Sequence, residues 1–364
     1  MQRSPLHAVY QALGATFTEV AGWERPQHFG NPAAEYRAVR ESVGLCEPAP
    51  RGWVRLTGKD RQRFLHAMVS NDTASLQPGQ GCYATFLTNK GKIVADFVVY
   101  AEADAYLLEL ESHVVQPLIE AMSWFVISED VELHNDSEQW GVLSAQGPKA
   151  AQLLTLALGQ AVPDLPLYGH AVCALAGQHI RLFRRSHTGA PGYQLLAPPL
   201  TLPALWDVLW QHRAACGVEP VGVEVLEALR IEAGIPVCGC ELTDETIPVE
   251  ANLGHAISYT KGCYIGQEVI ARIEARGHVN RKLVGLRLGG AALPAPGAKI
   301  IAPEREVGWV TSAAYSPGQG QAVALGYVRR EVWAPGTQLA VQTPEATMPA
   351  TVVELPFSAV QNRE

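Results

Sequence analysis

No run of apolar residues in this 364-residue chain approaches the roughly 18 that a membrane-spanning helix requires. Its opening stretch, MQRSPLHAVYQALGATF, holds no continuous apolar segment and no cleavage pattern, so the expected location is cytoplasmic. Charge is sparse, at 18% of residues, and its balance is acidic, with a formal net charge of −8 and a pI near 5.8. That balance argues against broad electrostatic binding to nucleic acid, direct tRNA binding included. The glycine-rich fingerprints of nucleotide sites, G-x-G-x-x-G and G-x-x-x-x-G-K-[ST], are missing. So are the G-x-S-x-G elbow of serine hydrolases and the H-E-x-x-H of zinc proteases. The seven cysteines, Cys46, Cys82, Cys173, Cys216, Cys238, Cys240 and Cys263, are odd in number and dispersed, which excludes a simple disulfide framework. Cys238 and Cys240 form C-x-C, but a structural metal site wants about four ligands. No metal is therefore expected.

What is present is a folded globular composition, 48% hydrophobic with mean hydropathy near zero, long enough for two or three domains. Residues 1–43 read as two helices, the second opening on Asn31-Pro32 and closing on Gly44. Residues 52–58 alternate as a strand, and 60–70 read as a helix with Asp60 near its start. Residues 81–112 read as three strands with turns at NKGK and EADA, and 114–127 as a helix. Two strands and a helix starting near Lys149 follow, then three strands, then helices ended by Gly217 and Gly234. After about residue 281 the text becomes six short strands between Gly and Pro, an all-β module of sandwich or barrel type. Two basic clusters, RLFRRSH (Arg181, Arg184, Arg185) and RIEARGHVNRK (Arg272, Arg276, Arg281, Lys282), read either as solvated surface or as patches for an anionic ligand.

Four segments in order resemble one family. VSNDTASLQPGQGCYATFLTNKGKIVADFVVY, LSAQGPKAAQLL, LRIEAGIPVCGCEL and REVGWVTSAAYSP…AVALGYV are together similar to the glycine-cleavage T-protein. That family moves a one-carbon unit from a lipoyl carrier protein to tetrahydrofolate. Within the superfamily, KGCYIGQE at residues 261–268 resembles the YgfZ-type folate-binding proteins, linked to iron–sulfur protein maturation and tRNA modification. Two departures from the T-protein pattern point the same way, and a third bears on folate affinity. Ala49 and Pro50 stand in place of a Ser-His, Asp96 remains alone beside Ala95 where the family has an Asp-Asp pair, and Gln194 replaces a glutamate suited to the pterin edge. An amide keeps one acceptor there and loses the charge.

The resemblance implies an α+β, GcvT/YgfZ-like fold. Two mixed α/β subdomains would surround a central folate cavity, with a C-terminal β-barrel-like module. The expected boundaries are 1–138, 139–280 and 281–364. It also implies a tetrahydrofolate ligand and iron–sulfur client enzymes as partners; one Cys where a cluster wants about four ligands leaves no stable cluster expected in the isolated chain, which is expected to be a monomer.

The candidate catalytic residues are Cys263 and Asp96. Cys263 is either a small residue packed among glycines or a thiolate stabilised by a helix start and by Lys261. Asp96 lies in the apolar strand IVADFVVY, where a carboxylate must face solvent, a partner or a cavity. As a general acid or base it would act on the folate amine. The candidate binding residues are Asp96, Tyr193, Gln194, Arg230, Lys261, Gly262, Tyr264, Gly266, Gln267 and Glu268. Of these, Arg230 reads either as the i,i+3 partner of Glu227 or as a clamp on a carboxylate. Glu268 reads either as a first-turn charge on a helix or as a pocket wall. The leading expectation is a folate-binding accessory protein for iron–sulfur enzymes, with Cys263 as its reactive group. The alternatives are an aminomethyltransferase using Asp96, and a folate-binding scaffold without chemistry.

Overall fold

The computed structural model describes residues 1–290, 292–303, 305–344 and 346–357. They form two compact units. Met1–Leu87, Val94–Val225 and His255–Ile265 make the first, and Thr88–Ile93, Leu226–Gly254 and Gly266–Glu364 make the second. The expected mixture of helices and strands, with a six-stranded C-terminal barrel, is present.

The first unit carries two large sheets. One runs in the order Gly81–Leu87, Ile93–Ala101, Tyr106–Glu111, Arg51–Thr57, Glu132–Asn135. The other runs His170–Leu175, Gln178–Arg184, Gly192–Ala197, Gly141–Gln146, Val43–Cys46, Val218–Pro220. Alternation gives each strand two faces. On one face of the second sheet Leu143, Ala145, Leu182, Tyr193 and Leu195 pack under the helices Ala150–Leu158 and Leu202–Trp210 as a hydrophobic core. Phe183, on the opposite face, meets Trp53 and Tyr100 of the first sheet at ring-centroid distances of 5.8 and 4.3 Å. Burial of these three aromatics, each worth about 1.5–3 kcal/mol, ties the sheets together.

The second unit is dominated by the closed barrel, ordered Arg281–Leu288, Gln321–Arg329, Arg305–Ser316, Lys299–Ala302, Gln338–Gln342, Thr347–Val353. Its interior is aliphatic, with Leu286, Ile300, Val310, Ala324, Val341 and Val352 fully or almost fully buried. Closure leaves no sheet edge to protect.

The reading of residues 1–43 as two helices needs correction. Helices do span His7–Ala12 and Pro32–Glu41, the latter capped by Asn31 Oδ1 accepting from Ala34 N at 3.1 Å. Between them lie strands Thr16–Val20 and Trp23–His28, joined by Ala21 and Gly22, both at positive φ (49° and 81°). Gly44 is not a helix cap either. It sits in the buried strand Val43–Cys46, where a Cβ would come within 2.4 Å of Val39 and 2.7 Å of Val221. No helix among the described residues is long and apolar enough to cross a membrane.

Candidate functional site

The first sheet presents an unusual face. Strand pairing sets Arg51 opposite Glu111, Trp53 opposite Glu109, and Val98 opposite Glu109. Period-two alternation then puts Arg51, Trp53, Glu109, Glu111, Asp96, Val98 and Tyr100 on one side. Three carboxylates thus share one face of a largely apolar sheet. The second sheet supplies Gln194 and, just past the end of strand Gln178–Arg184, Arg185 and His187.

The groups bind one another closely. Arg51 donates through Nε to Glu109 Oε1 at 2.9 Å and through Nη1 to Glu111 Oε1. Tyr100 donates its hydroxyl proton to Glu109 Oε2 at 2.8 Å, and Arg185 Nε lies 3.7 Å from that oxygen. Burial alone would raise Glu109, but Arg51, Arg185 and His187 overcome it and hold the carboxyl at about 2. Burial also raises Asp96, and here the pull of Tyr83, Arg51 and Arg185 does not cancel it, so Asp96 sits above the usual aspartate range. Tyr83, from strand Gly81–Leu87, donates to Asp96 Oδ2 at 2.6 Å. Asp96 Oδ1 is buried and has no hydrogen-bond partner among the described residues. A buried orphan acceptor is costly unless a ligand or water completes it.

Gln194 is fully buried. Its Oε1 lies 2.8 Å from His187 Nε2, while its Nε2 has no partner among the described residues. Turning the amide over exchanges the two atoms and still leaves one of them over. Gln194 therefore has one neutral hydrogen-bonding atom left over, where a glutamate would carry a charge. Gln146 braces this corner, accepting from His187 N at 3.1 Å and from Thr188 Oγ1 at 3.2 Å. Gly192 leaves no room for a Cβ, which would fall 2.6 Å from the backbone carbonyl oxygen of Arg185.

Burial, then the neighbouring Arg185, pushes His187 down to about 4, so its ring is neutral at pH 7. A histidine depressed in the folded state binds fewer protons than the unfolded chain between its ordinary 6.5 and about 4. Its contribution of about 3 kcal/mol is complete above that window and is lost as pH falls through it. The raised carboxyls of Asp96 and Glu111 act with the opposite sign and offset part of the loss. Denaturant titrations at about pH 7 and about pH 4 should show a loss of stability that His187→Gln reduces. An equal loss in the variant would assign the acid sensitivity elsewhere.

The other candidates fall in different places. Tyr193 points into the hydrophobic core on the far side of its strand, and its hydroxyl accepts from Arg184 Nη1 at 2.6 Å. Arg230 is spent internally in the second unit. It binds Glu227 at 2.8 and 2.5 Å, Glu241 at 3.0 Å and Ser312 at 2.6 Å, so the pairing with Glu227 is realised and no fork remains for a carboxylate ligand. Lys261 reaches the end of helix Arg61–Met68, where its Nζ donates to the carbonyls of His66, Val69 (2.6 Å) and Asn71 (3.0 Å). Burial lowers Lys261 to about 8, which still leaves an ammonium at neutral pH to cap that helix. Tyr264 is buried with Lys261 5.3 Å from its ring centroid.

Cys263 and Gly262 are exposed, and no group of three or more His, Cys, Asp or Glu among the described residues is arranged to hold a metal. Gly266, at φ 83°, is the N-cap of helix Gln267–Arg276, with Gln267 at its first position and Glu268 in its first turn. Exposure of Glu268 there is what a dipole-stabilising charge requires. Arg272 and Lys282 of the second basic cluster are exposed, while other members of the two clusters are paired. Arg181 binds Glu102 at 2.7 Å, Arg185 faces Glu109, and Arg281 binds Glu250 at 3.1 Å.

Arg51, Glu109, Glu111 and His187 were not singled out by sequence, and Arg185 was read only as part of a basic cluster. The signal available was the alternation LLELES, which sets Glu109 and Glu111 on the face shared with Asp96.

Comparison with known proteins bears on the whole chain. Residues 6–261 match the GCVT N-terminal domain, and residues 281–358 match the glycine cleavage T-protein C-terminal barrel domain. The chain is 33% identical to an aminomethyltransferase of Saccharopolyspora erythraea, covering 98% of each. It is 32% identical to one of Thermosynechococcus vestitus, covering 98% of this chain and 95% of the relative. A solved structure, the glycine cleavage system aminomethyltransferase T from Bartonella henselae, shares the fold with TM-score 0.88 at 24% identity over 98% of each chain. These relatives overturn the leading expectation of an accessory protein for iron–sulfur enzymes and tRNA modification, because the end-to-end likeness is to aminomethyltransferases. By both domain matches and by its full-length relatives, the chain belongs to the glycine-cleavage T-protein family.

Proposed function

We propose that this protein is an aminomethyltransferase that passes a one-carbon unit from a lipoylated carrier to tetrahydrofolate, with Asp96 as its acid–base group. The observation that carries this reading is the state of Asp96. One carboxylate oxygen is fixed by Tyr83 and the other is buried without a partner. As the two folate amines form C–N bonds to the carbon, the carrier's C–S bond and the carbon's bond to its amino group break, and the two protons the amines lose leave on the carrier thiol and on the departing ammonia. A carboxylate with a free lone pair and a raised affinity for protons is suited to relay them. Gln194 and Asp96, each with one unsatisfied polar atom, fit a heterocycle with hydrogen-bonding edges, and Tyr83 contributes an aromatic wall stacked 5.4 Å from His255. These residues would orient the folate ring, while the lipoyl carrier supplies the carbon.

In this reading the segment 261–268 is architectural. Lys261 caps a helix end, Gly266 starts another helix, and the Cys263 thiol takes no part. Cys263→Ser should therefore keep transfer activity within about twofold of wild type and leave stability within about 0.5 kcal/mol. The assay is one-carbon transfer from the aminomethyl-loaded carrier to tetrahydrofolate. Loss of transfer in this variant, with folding intact, would move the chemistry to the thiol and sink the assignment to Asp96.

A further inference from the structure

The sequence pattern explains Asp96 but not why an arginine lies among three carboxylates. Arg51 is 9% exposed at its side chain, and its guanidinium bridges Glu109 and Glu111, two residues apart on one strand. This is the geometry in which a planar fork outperforms a lysine. The groups facing Asp96 come from every packed element. They are Tyr83 on Gly81–Leu87, Tyr100 on its own strand, Arg51 on Arg51–Thr57, and Glu109 and Glu111 on Tyr106–Glu111. Across from them stand Arg185, His187 and Tyr168. Glu111 is raised, first by burial and further by Asp96, so the two carboxyls oppose each other's ionisation. With Glu109 ionised and His187 neutral, Arg51 and Arg185 are the two cations that counter this face.

We propose that Arg51 is a positioning residue for the reacting carboxylate: by clamping Glu109 and Glu111 it neutralises the like charges beside Asp96 and keeps Asp96 ionised as the proton acceptor. The inference rests on Asp96 being the acid–base group of the proposed transferase. Removing the guanidinium makes ionisation of Asp96 harder, so proton uptake by Asp96 moves to higher pH. The rate lost at neutral pH then returns as the solution is made more alkaline.

The test is a pair of titrations on Arg51→Met. The first follows the Asp96 carboxyl itself by infrared difference spectroscopy of carboxyl protonation, assigned with Asp96→Asn. The second follows kcat/KM for one-carbon transfer against pH. Both should move up by about one pH unit, the effect of losing a nearby opposite charge. Because Arg51→Met strands two buried carboxylates, the same measurements are made on Arg51→Lys and on Arg51→Met/Glu111→Gln. Lysine keeps the charge but not the fork, so it should fall between wild type and Arg51→Met. The double variant, which removes one charge of each sign, should fall between wild type and Arg51→Met. A carboxyl titration that stays put in every variant overturns the inference, as does a rate that falls uniformly at all pH values. If wild type shows no transfer, the proposed function fails on its own, and the infrared titration still decides the role of Arg51.

Discussion

Replacing Asp96 with asparagine is expected to lower kcat for one-carbon transfer by roughly 10²- to 10⁴-fold, the usual worth of a positioned acid–base group. Asparagine is nearly isosteric, and its carbonyl can still accept from Tyr83, whose hydroxyl donates to Asp96 Oδ2 at 2.6 Å. It cannot take a proton. Tetrahydrofolate affinity should change by less than about tenfold, because one neutral hydrogen bond is worth about 1 kcal/mol. Stability should hold or rise slightly, since burial already disfavours the charged form of Asp96. A variant that binds folate, keeps its melting temperature and loses transfer would match this pattern. Near wild-type transfer would remove Asp96 from the chemistry.

The second large effect concerns stability. Arg230→Met is expected to cost about 3–5 kcal/mol, because it leaves a buried charge without its partner. Glu241 is fully buried and faces Arg230 Nη1 at 3.0 Å. It also accepts from Thr311 Oγ1 at 2.8 Å, Ser312 Oγ at 2.5 Å and Val237 N at 3.0 Å. These neutral donors cannot replace a guanidinium. Arg230→Met/Glu241→Gln should recover part of the loss, since the amide removes the stranded charge and keeps an acceptor. Urea titrations of the three proteins measure it directly. A loss below about 1 kcal/mol would mean the network is far better solvated than its burial indicates.

Sequence and structure agree most where turn residues punctuate short apolar runs. The six barrel strands and the three strands of residues 81–112 are separated by such turns, and each appears within its expected stretch. The hairpin Thr16–Val20 and Trp23–His28 did not stand out, although its two-residue Ala21-Gly22 turn was there to be read. Pro26 within the second strand obscured it. Asp96 was visible as a carboxylate in an apolar strand. Its surroundings were not, because Arg51, Glu109 and Arg185 are brought to it by strand register and by a second sheet. Neither relation has a local sequence signature. Arg230 illustrates the converse: its i,i+3 pair with Glu227 followed from spacing, while Glu241 and Ser312 came only with the tertiary fold. The KGCYIGQE segment drew attention to a thiol, yet the work its neighbours do is helix capping by Lys261 and Gly266.

The most direct test of the account is a reconstituted glycine-cleavage assay in which this protein replaces the T-protein, with tetrahydrofolate, the lipoylated carrier and the remaining subunits present and a genuine T-protein as control. The account predicts glycine-dependent NADH production that requires tetrahydrofolate and disappears with Asp96→Asn. Folded protein that supports no NADH production under conditions where the control is active would contradict it.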